Sequence, residues 1–285
     1  MLRIKVEATS ANLCVGFDTL GIALDIYNEF TFEKSDEFGF TGFLSEYSNI
    51  HNNLVYDSYV HIFELRGEKP VPVVIGYKGD IPLSRGMGSS SSLIVAGVFA
   101  ANYFIKDKFT KDELFSICAK IEGHPDNVAP AVYGNLVASF KYEDDYYPNI
   151  YKISDKLKFG VVIPNNHVST ESARKVMPKE YKISDIVNNL SRIVNIPMAF
   201  ESGNLELIKK LFIDTIHEPY RKALINEYDS VKEVVDKYNA VMSISGSGST
   251  MLIISYNYDY ENELKDLGYN FKRVNIGSGI EMVEA

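Results

Sequence analysis

The sequence predicts an α+β fold, on three observations. Segments of strand character and segments of helical character occur in both halves of the chain. The 285 residues suffice for one large domain or two intimate ones, taking roughly 100–200 residues for each. Hydrophobic residues at 46% and charged residues at 24% match ordinary globular usage, which excludes disorder, collagen and coiled coil. No internal repeat, low-complexity tract or linker rich in proline and glycine interrupts the chain.

Leu2 to Glu7 alternates apolar and polar residues and reads as a strand. Asp25 to Glu33, rich in β-branched and aromatic residues, reads as another. Asn53 is placed to cap a helix from Leu54 to Arg66 that stops at Gly67. A strand over Pro70 to Lys78 follows. The run Pro82–Ser92, rich in serine and glycine, then leads into a helix from about Leu93 to Phe104, apolar nearly all round and so expected in the core. Thr110 and Glu113 have capping-box spacing before a helix over Leu114–Ile121, with Gly123 as its stop. Tyr142–Tyr147, acidic and aromatic, is expected as an exposed turn. A soft domain boundary falls near residue 152, giving halves 1–152 and 153–285. The second half opens on an apolar strand, Phe159–Ile163. Helices are expected at about Glu171–Val176, Ser184–Phe200, Leu205–Phe212 and Asp229–Tyr238. Ala240–Ile244 and Met251–Ser255 are expected as strands joined by Ser245–Thr250.

Composition excludes several classes of function. With 29 Lys and Arg against 38 Asp and Glu, the formal charge is −9. Nucleic-acid affinity comes chiefly from clustered cations, so this balance argues against a nucleic-acid partner. The longest apolar run, Leu93–Ile105, is interrupted by Asn102 and falls short of the ~20 residues a membrane span needs. Met1–Glu7 alternates and carries an acid, unlike a signal peptide. Two cysteines, Cys14 and Cys118, allow neither a CxxC metal site nor a disulfide framework, and are expected as small buried hydrophobes. The expectation is a cytoplasmic protein with no nucleic-acid or membrane partner.

Four segments could carry chemistry. In the first, Gly86 and Gly88 let backbone approach a ligand, and the helix that follows offers free N–H groups and its positive dipole end to an anion. The hydroxyls of Ser89, Ser90, Ser91 and Ser92 could add hydrogen bonds or one Mg²⁺ ligand. The run is not a P-loop, because no Gly-Lys pair occurs in the chain, and it lacks the third glycine of a dinucleotide fingerprint. Alone, it is equally a turn that caps a helix. In the second, Glu122, His124 and Asp126 fall within five positions at a helix end. A carboxylate there could hold Mg²⁺; the alternative is a solvated helix end. The third, Thr9–Asp18, alternates polar and small residues between two strands, as suits a loop touching a ligand or a plain connection. The fourth, Ser245–Thr250, could be a tight hairpin or a second loop facing the same ligand. Arginine is scarce, so a small acidic substrate would draw on Arg3, Arg66, Arg85, Arg174, Arg192, Arg221 or Arg273. Neither a Ser–His–Asp order nor an HExxH helix suggests hydrolysis, and the five histidines are too scattered for a zinc site.

Taken together and in this order, the segments resemble the GHMP kinase superfamily of small-molecule kinases. Pro82–Ser92 is similar to its phosphate-loop motif, Thr9–Gly21 to its N-terminal motif and Ile244–Thr250 to its C-terminal glycine motif. Within the superfamily, the chain resembles the homoserine kinases in Ser10-Ala11-Asn12-Leu13 with Gly16-Phe17-Asp18, and in Glu122 with His124–Pro130. Val168-Ser169-Thr170-Glu171 with Ala173-Arg174 is a third such match. The chain departs from the family pattern at Cys14-Val15, where Gly-Pro is common, at Asn135 in place of Gly and at Ser249 in place of Pro. Met87 and Ser91-Ser92 replace the usual Leu and Ala-Ala of the phosphate loop.

The resemblance implies a two-domain GHMP kinase fold, with a ribosomal-S5-like N-terminal half and a ferredoxin-like C-terminal half. It implies transfer of the ATP γ-phosphate to the hydroxyl of L-homoserine with Mg²⁺ as cofactor. By the same resemblance, ATP would lie along Pro82, Arg85, Gly86, Met87, Gly88, Ser89, Ser90, Ser91 and Ser92, with Asn53 near the nucleotide. Ser90 and Glu122 would be the Mg²⁺ ligands. Asn12, Asp18, His124, Thr170, Arg174, Arg221 and Gly246 would surround the substrate, the two arginines facing its carboxylate. Asp18, Asp126 and Asn127 would lie at the reacting centre, Asn127 orienting the hydroxyl. The proton could pass to Asp126, to Asp18 or to the phosphate itself, and no dedicated protein base is the expectation. A kinase of mevalonate or a sugar, or a sensor that binds nucleotide without turnover, are the alternatives on the same scaffold. The resemblance also admits a homodimer.

Overall fold

Two sheets organise residues 1–284, the part of the chain described by this computed structural model. The first sheet grows from the alternation seen at the N-terminus. In β1 (Leu2–Ala11), Leu2, Ile4 and Val6 are buried while their neighbours face outward, and from Ala8 on every residue is buried. β2 (Leu20–Lys34) pairs antiparallel with β1 along its length. It starts five residues before the expected Asp25, because Leu20–Leu24 is buried on both faces and therefore shows no alternation. β3 (Gly39–Thr41) runs parallel to β4 (Val73–Gly79), which pairs with the second half of β2. β5 (Leu136–Tyr142) pairs with the beginning of β2 and with β6 (Asp145–Tyr151). The exposed turn expected over Tyr142–Tyr147 is thus a correction: most of it is strand, and the reversal is confined to Glu143 and Asp144. Cross-strand stacking of Phe140 on Tyr147, at 5.5 Å, holds the two arms together.

Helices cover one face of this sheet. Asn53 caps α1 (Leu54–Leu65), its side chain accepting the Tyr56 N–H at 3.1 Å. α2 (Ser89–Phe104) packs against α1, α3 (Lys111–Glu122), α4 (Val128–Tyr133) and β1, which explains its all-round apolarity. It begins four residues before the expected Leu93, so Ser89–Ser92 form its first turn. Thr110 and Glu113 make the expected capping box on α3, and Gly123 ends that helix in a left-handed conformation.

The second sheet contains β7 (Lys158–Val162), β8 (Val241–Ile244), β9 (Met251–Ser255) and β10 (Phe271–Val274), in the order β10-β7-β9-β8. Between β7 and β8 lie α5 (Thr170–Lys175), α6 (Ile183–Ile193), α7 (Ile196–Ser202), α8 (Leu205–Leu211), α9 (Glu218–Arg221) and α10 (Tyr228–Lys237). The single helix expected over Ser184–Phe200 is two, α6 and α7, separated at Val194-Asn195. Pro197 explains the break: without an N–H and with a ring that crowds the preceding turn, it belongs at the start of a helix. α11 (Glu261–Asp266) joins α10 on one face of this sheet. The other face shares a core with α7, α8 and the beginning of β2, so the two sheets meet across one apolar layer. The final strand, β11 (Glu281–Glu284), crosses back to the first sheet and pairs with β1.

Candidate active site

A cavity of about 460 Å³ opens along the seam between the sheets. On one side, the loop before α2 carries Gly86 and Gly88 at φ of +72° and +70°, values that glycine adopts without a Cβ penalty. Ser92 N donates to the Gly88 carbonyl at 3.0 Å as the first bond of the helical ladder. The N–H groups of Ser89, Ser90 and Ser91 therefore lie outside that ladder, at the positive end of a 16-residue helix. Gly86, Met87, Gly88, Ser89 and Ser90 line the cavity. Pro82, Ser91 and Ser92 are not on its wall. Ser91 and Ser92 are fully buried; the Ser92 hydroxyl donates to the Ser89 carbonyl and accepts from Asn28. Arg85 borders the cavity but spends its guanidinium on the carbonyls of Pro164 and Asn165, at 2.8 and 2.6 Å, tying the loop to the second sheet.

Above this loop the wall is aromatic and apolar: Phe43, Leu44, Tyr47, Tyr77 and Leu93, with Phe43 stacked on Tyr77 at 5.0 Å. None of these was legible as functional, because they share no spacing motif and reach the cavity from three separate elements. Asn53 lines the same region, with its amide donating to the Tyr47 carbonyl at 2.6 Å while its oxygen caps α1.

The opposite wall is charged. The turn after β1 holds Asn12, whose amide donates to the Gly246 carbonyl at 2.8 Å and whose oxygen accepts the Asp18 N–H at 3.0 Å. Asp18 is met by both terminal nitrogens of Arg174, at 2.8 and 3.0 Å, across the two halves of the chain. Arg221, only 2% exposed, also donates to the Gly246 carbonyl, at 3.0 Å. Phe17 lies beside both cations, its ring centre 5.6 Å from the Arg174 guanidinium and 5.0 Å from that of Arg221. The Asp18 hydrogen bond raises Arg174 above its ordinary value, whereas burial and then the like charge of Arg174 lower Arg221. An anion placed here would relieve that second effect. Thr170, at the start of α5, completes this side.

Between the two walls lies Glu122–Asn127. Asp126, buried at 2% exposure, bonds the His124 ring at 2.9 Å. Burial opposes charge on His124, but the bond to Asp126 and the nearby carboxylates outweigh it, so its pKa rises from the ordinary 6.5. Asn127 accepts the Thr9 hydroxyl at 2.7 Å. Glu122 accepts from Ser90 and Ser91, both at 2.9 Å. Burial raises the Glu122 pKa, and the charge of His124 and the two hydroxyls pull against that rise. All the remaining expected site residues line the cavity. Among the described residues no group of three or more His, Cys, Asp or Glu could hold a metal. One carboxylate and one hydroxyl, Glu122 and Ser90, are hard oxygen donors that fit Mg²⁺, which takes its other ligands from water and phosphate.

Known proteins share this fold. Residues 53–135 match the family described as GHMP kinases N terminal domain. The structure is similar to that of homoserine kinase from Cytophaga hutchinsonii, with a TM-score of 0.86 at 26% identity over 99% of this chain and 97% of that one. Fold and site define an enzyme of the GHMP kinase class, a small-molecule kinase. The chain is also 41% identical over 259 residues to the homoserine kinase of Clostridium acetobutylicum, 89% of this chain and 87% of that protein. With the homoserine kinase of Clostridium beijerinckii it shares 40% identity over 271 residues, 93% and 91% of the two chains. The chain belongs to the homoserine kinase family.

Proposed function

We propose that the chain transfers the γ-phosphate of ATP to the hydroxyl of L-homoserine, giving O-phospho-L-homoserine for threonine biosynthesis. The observation that carries this reading is the pairing of Asp18 with Arg174, beside Arg221, opposite the N-terminus of α2. A carboxylate and two guanidiniums within one small cavity complement the ammonium and carboxylate of an amino acid, and leave its short side chain directed across the site. Mevalonate offers no ammonium and a sugar offers neither charge, so either would forgo one or both of these charge contacts.

On this reading the N–H groups of Ser89 and Ser90 bind the ATP phosphates, and Phe43, Leu44 and Tyr77 enclose the nucleotide base. Ser90 and Glu122 would hold Mg²⁺, which supplies positive charge against the phosphate oxygens. Holding donor and acceptor in line is most of what phosphoryl transfer asks of a protein. Asn127 and His124 orient the acceptor hydroxyl. Asp18 and Asp126 are committed to Arg174 and His124, so the hydroxyl proton passes to the phosphate without a dedicated base.

Dependence on ATP fits a cytoplasmic enzyme, and among the described residues no helix is long and apolar enough to cross a membrane. The outer face of α6 supports a homodimer: Ile183, Val187 and Leu190 are 77%, 56% and 58% exposed, with Val194 beside them. The test of the activity is ADP release from Mg-ATP with L-homoserine, mevalonate, galactose or no acceptor. Release that requires homoserine is the expected result. Release with another acceptor overturns the substrate, and silence across the panel alongside ATP binding overturns the enzyme.

A further inference from the structure

The charged wall of the cavity hangs on a turn that its own residues disfavour. Asn12, Leu13 and Cys14 hold φ of +67°, +33° and +58°, three successive left-handed residues with no glycine among them. Such backbone persists only where its surroundings hold it. Here the surroundings are two buried polar side chains that converge on Cys14 from different elements. His217 Nε2 lies 2.5 Å from the Cys14 carbonyl oxygen. That oxygen can only accept, so Nε2 carries the hydrogen and donates. The Cys14 N–H donates to Ser243 Oγ at 2.8 Å. His217 and Ser243 are 0% and 1% exposed, and neither touches the cavity.

The grip on Cys14 is itself braced. Asp214 accepts the N–H groups of Ile216, His217 and Glu218, at 3.1, 2.7 and 2.7 Å, which fixes the backbone that carries the imidazole. Glu218 accepts the Ile244 N–H at 2.6 Å, anchoring the strand residue next to Ser243. The imidazole also stacks on Phe17 at 5.4 Å, so it contacts the far end of the same turn. Apolar side chains would fill this space at less desolvation cost. Hydroxyl and imidazole are instead aimed at both polar groups of one residue in a loop without ladder partners of its own.

We infer that His217 and Ser243 are positioning residues of the acceptor site, clamping Cys14 so that the left-handed turn presents Asn12 and Asp18 to the substrate. The inference rests on the reading of this wall as the acceptor site. Ser243→Ala, His217→Ala and His217→Gln test it in the full chain. Gln keeps an Nε2 donor of similar reach. Two readouts are needed: KM for homoserine against KM for ATP, and hydrogen–deuterium exchange of residues 12–18 in the absence of ligand.

Both alanine variants are expected to raise the homoserine KM at least about tenfold with the ATP KM within about twofold, as loss of one buried hydrogen bond implies. Exchange over residues 12–18 should accelerate while residues 86–95 stay unchanged, and His217→Gln should restore most of both. Unchanged exchange at residues 12–18 in Ser243→Ala overturns the inference. So does an equal rise in both KM values, or a His217→Gln variant as impaired as His217→Ala. The exchange readout needs no substrate, so a wild-type chain that ignores homoserine refutes the acceptor assignment while the clamp is still decided. Should His217→Ala fail to fold, Ser243→Ala, which removes one buried oxygen, decides alone.

Discussion

Glu218 is buried, and burial pushes its carboxyl from the ordinary 4.5 up to about 7. The folded chain therefore keeps a proton that the unfolded chain has already released across that interval. Its contribution to stability is complete below about pH 4.5 and is lost as pH rises through about 7. The loss is on the order of 3 kcal/mol. Glu218→Gln keeps an acceptor for Ile244 N and cannot ionise, so urea denaturation should show it matching wild type near pH 4.5 and exceeding it above pH 7. Parallel stability curves would refute this assignment. Asp126 is buried beside His124. Its bond to His124 is one reason that ring titrates above its ordinary value. Asp126→Asn should shift the His124 titration downward and lower kcat modestly, by about tenfold; a loss of thousands-fold with KM unchanged would make Asp126 the base. Most polar residues of the site were legible because they sit in short motifs: Asn12 and Asp18 in one, Glu122 to Asn127 in another, Arg174 after Thr170. Phe43, Tyr47 and Tyr77 were not, since an apolar wall carries no spacing and only the fold brings it together.

Among the elements, those with local signals were the ones the sequence disclosed. Asn53, Thr110 with Glu113, and Gly123 act within a turn of the helices they bound, so cap and helix are read from adjacent residues. β11 is four residues long and finds β1 across nearly the whole chain, and α4 has six residues without a side-chain cap bond; neither leaves a local trace. The loop around Asn12–Cys14 was legible between its two strands, but its left-handed backbone was not, because no glycine marks it; the family's common glycine where Cys14 stands fits the φ of +58° there. On the proposed reading, donor binding depends on the loop before α2. At Gly86, φ is +72° and an added methyl would run into the Ser245 carbonyl of the facing loop. Gly86→Ala should therefore raise the ATP KM by at least about tenfold and lower Tm, with the homoserine KM less affected. A variant with wild-type ATP KM would show that the loop does not cradle the nucleotide.

Across the whole molecule, one apolar layer joins the two sheets, and the cavity opens where loops from both reach over it. Strands and helices in both halves were visible in the sequence; their meeting at a seam was not, because contacts such as Asp18 with Arg174 and Asn12 with Gly246 span more than 150 residues. The exposed apolar face of α6 is the surface on which a second copy would dock. Val187→Asp with Leu190→Lys should convert a dimer into a monomer by light scattering without moving kcat, and a wild-type monomer at micromolar concentration would refute the interface. Recognition of an amino-acid zwitterion by Asp18, Arg174 and Arg221 is the proposed basis of substrate choice. Its most direct test is kcat/KM for L-homoserine against 4-hydroxybutanoate, which lacks the ammonium, and 3-aminopropan-1-ol, which lacks the carboxylate. Losses of at least about a thousandfold for both analogues are the predicted result, since each lacks one of the two charged contacts that would hold the acceptor in line. Turnover of either analogue within about tenfold of homoserine would contradict it.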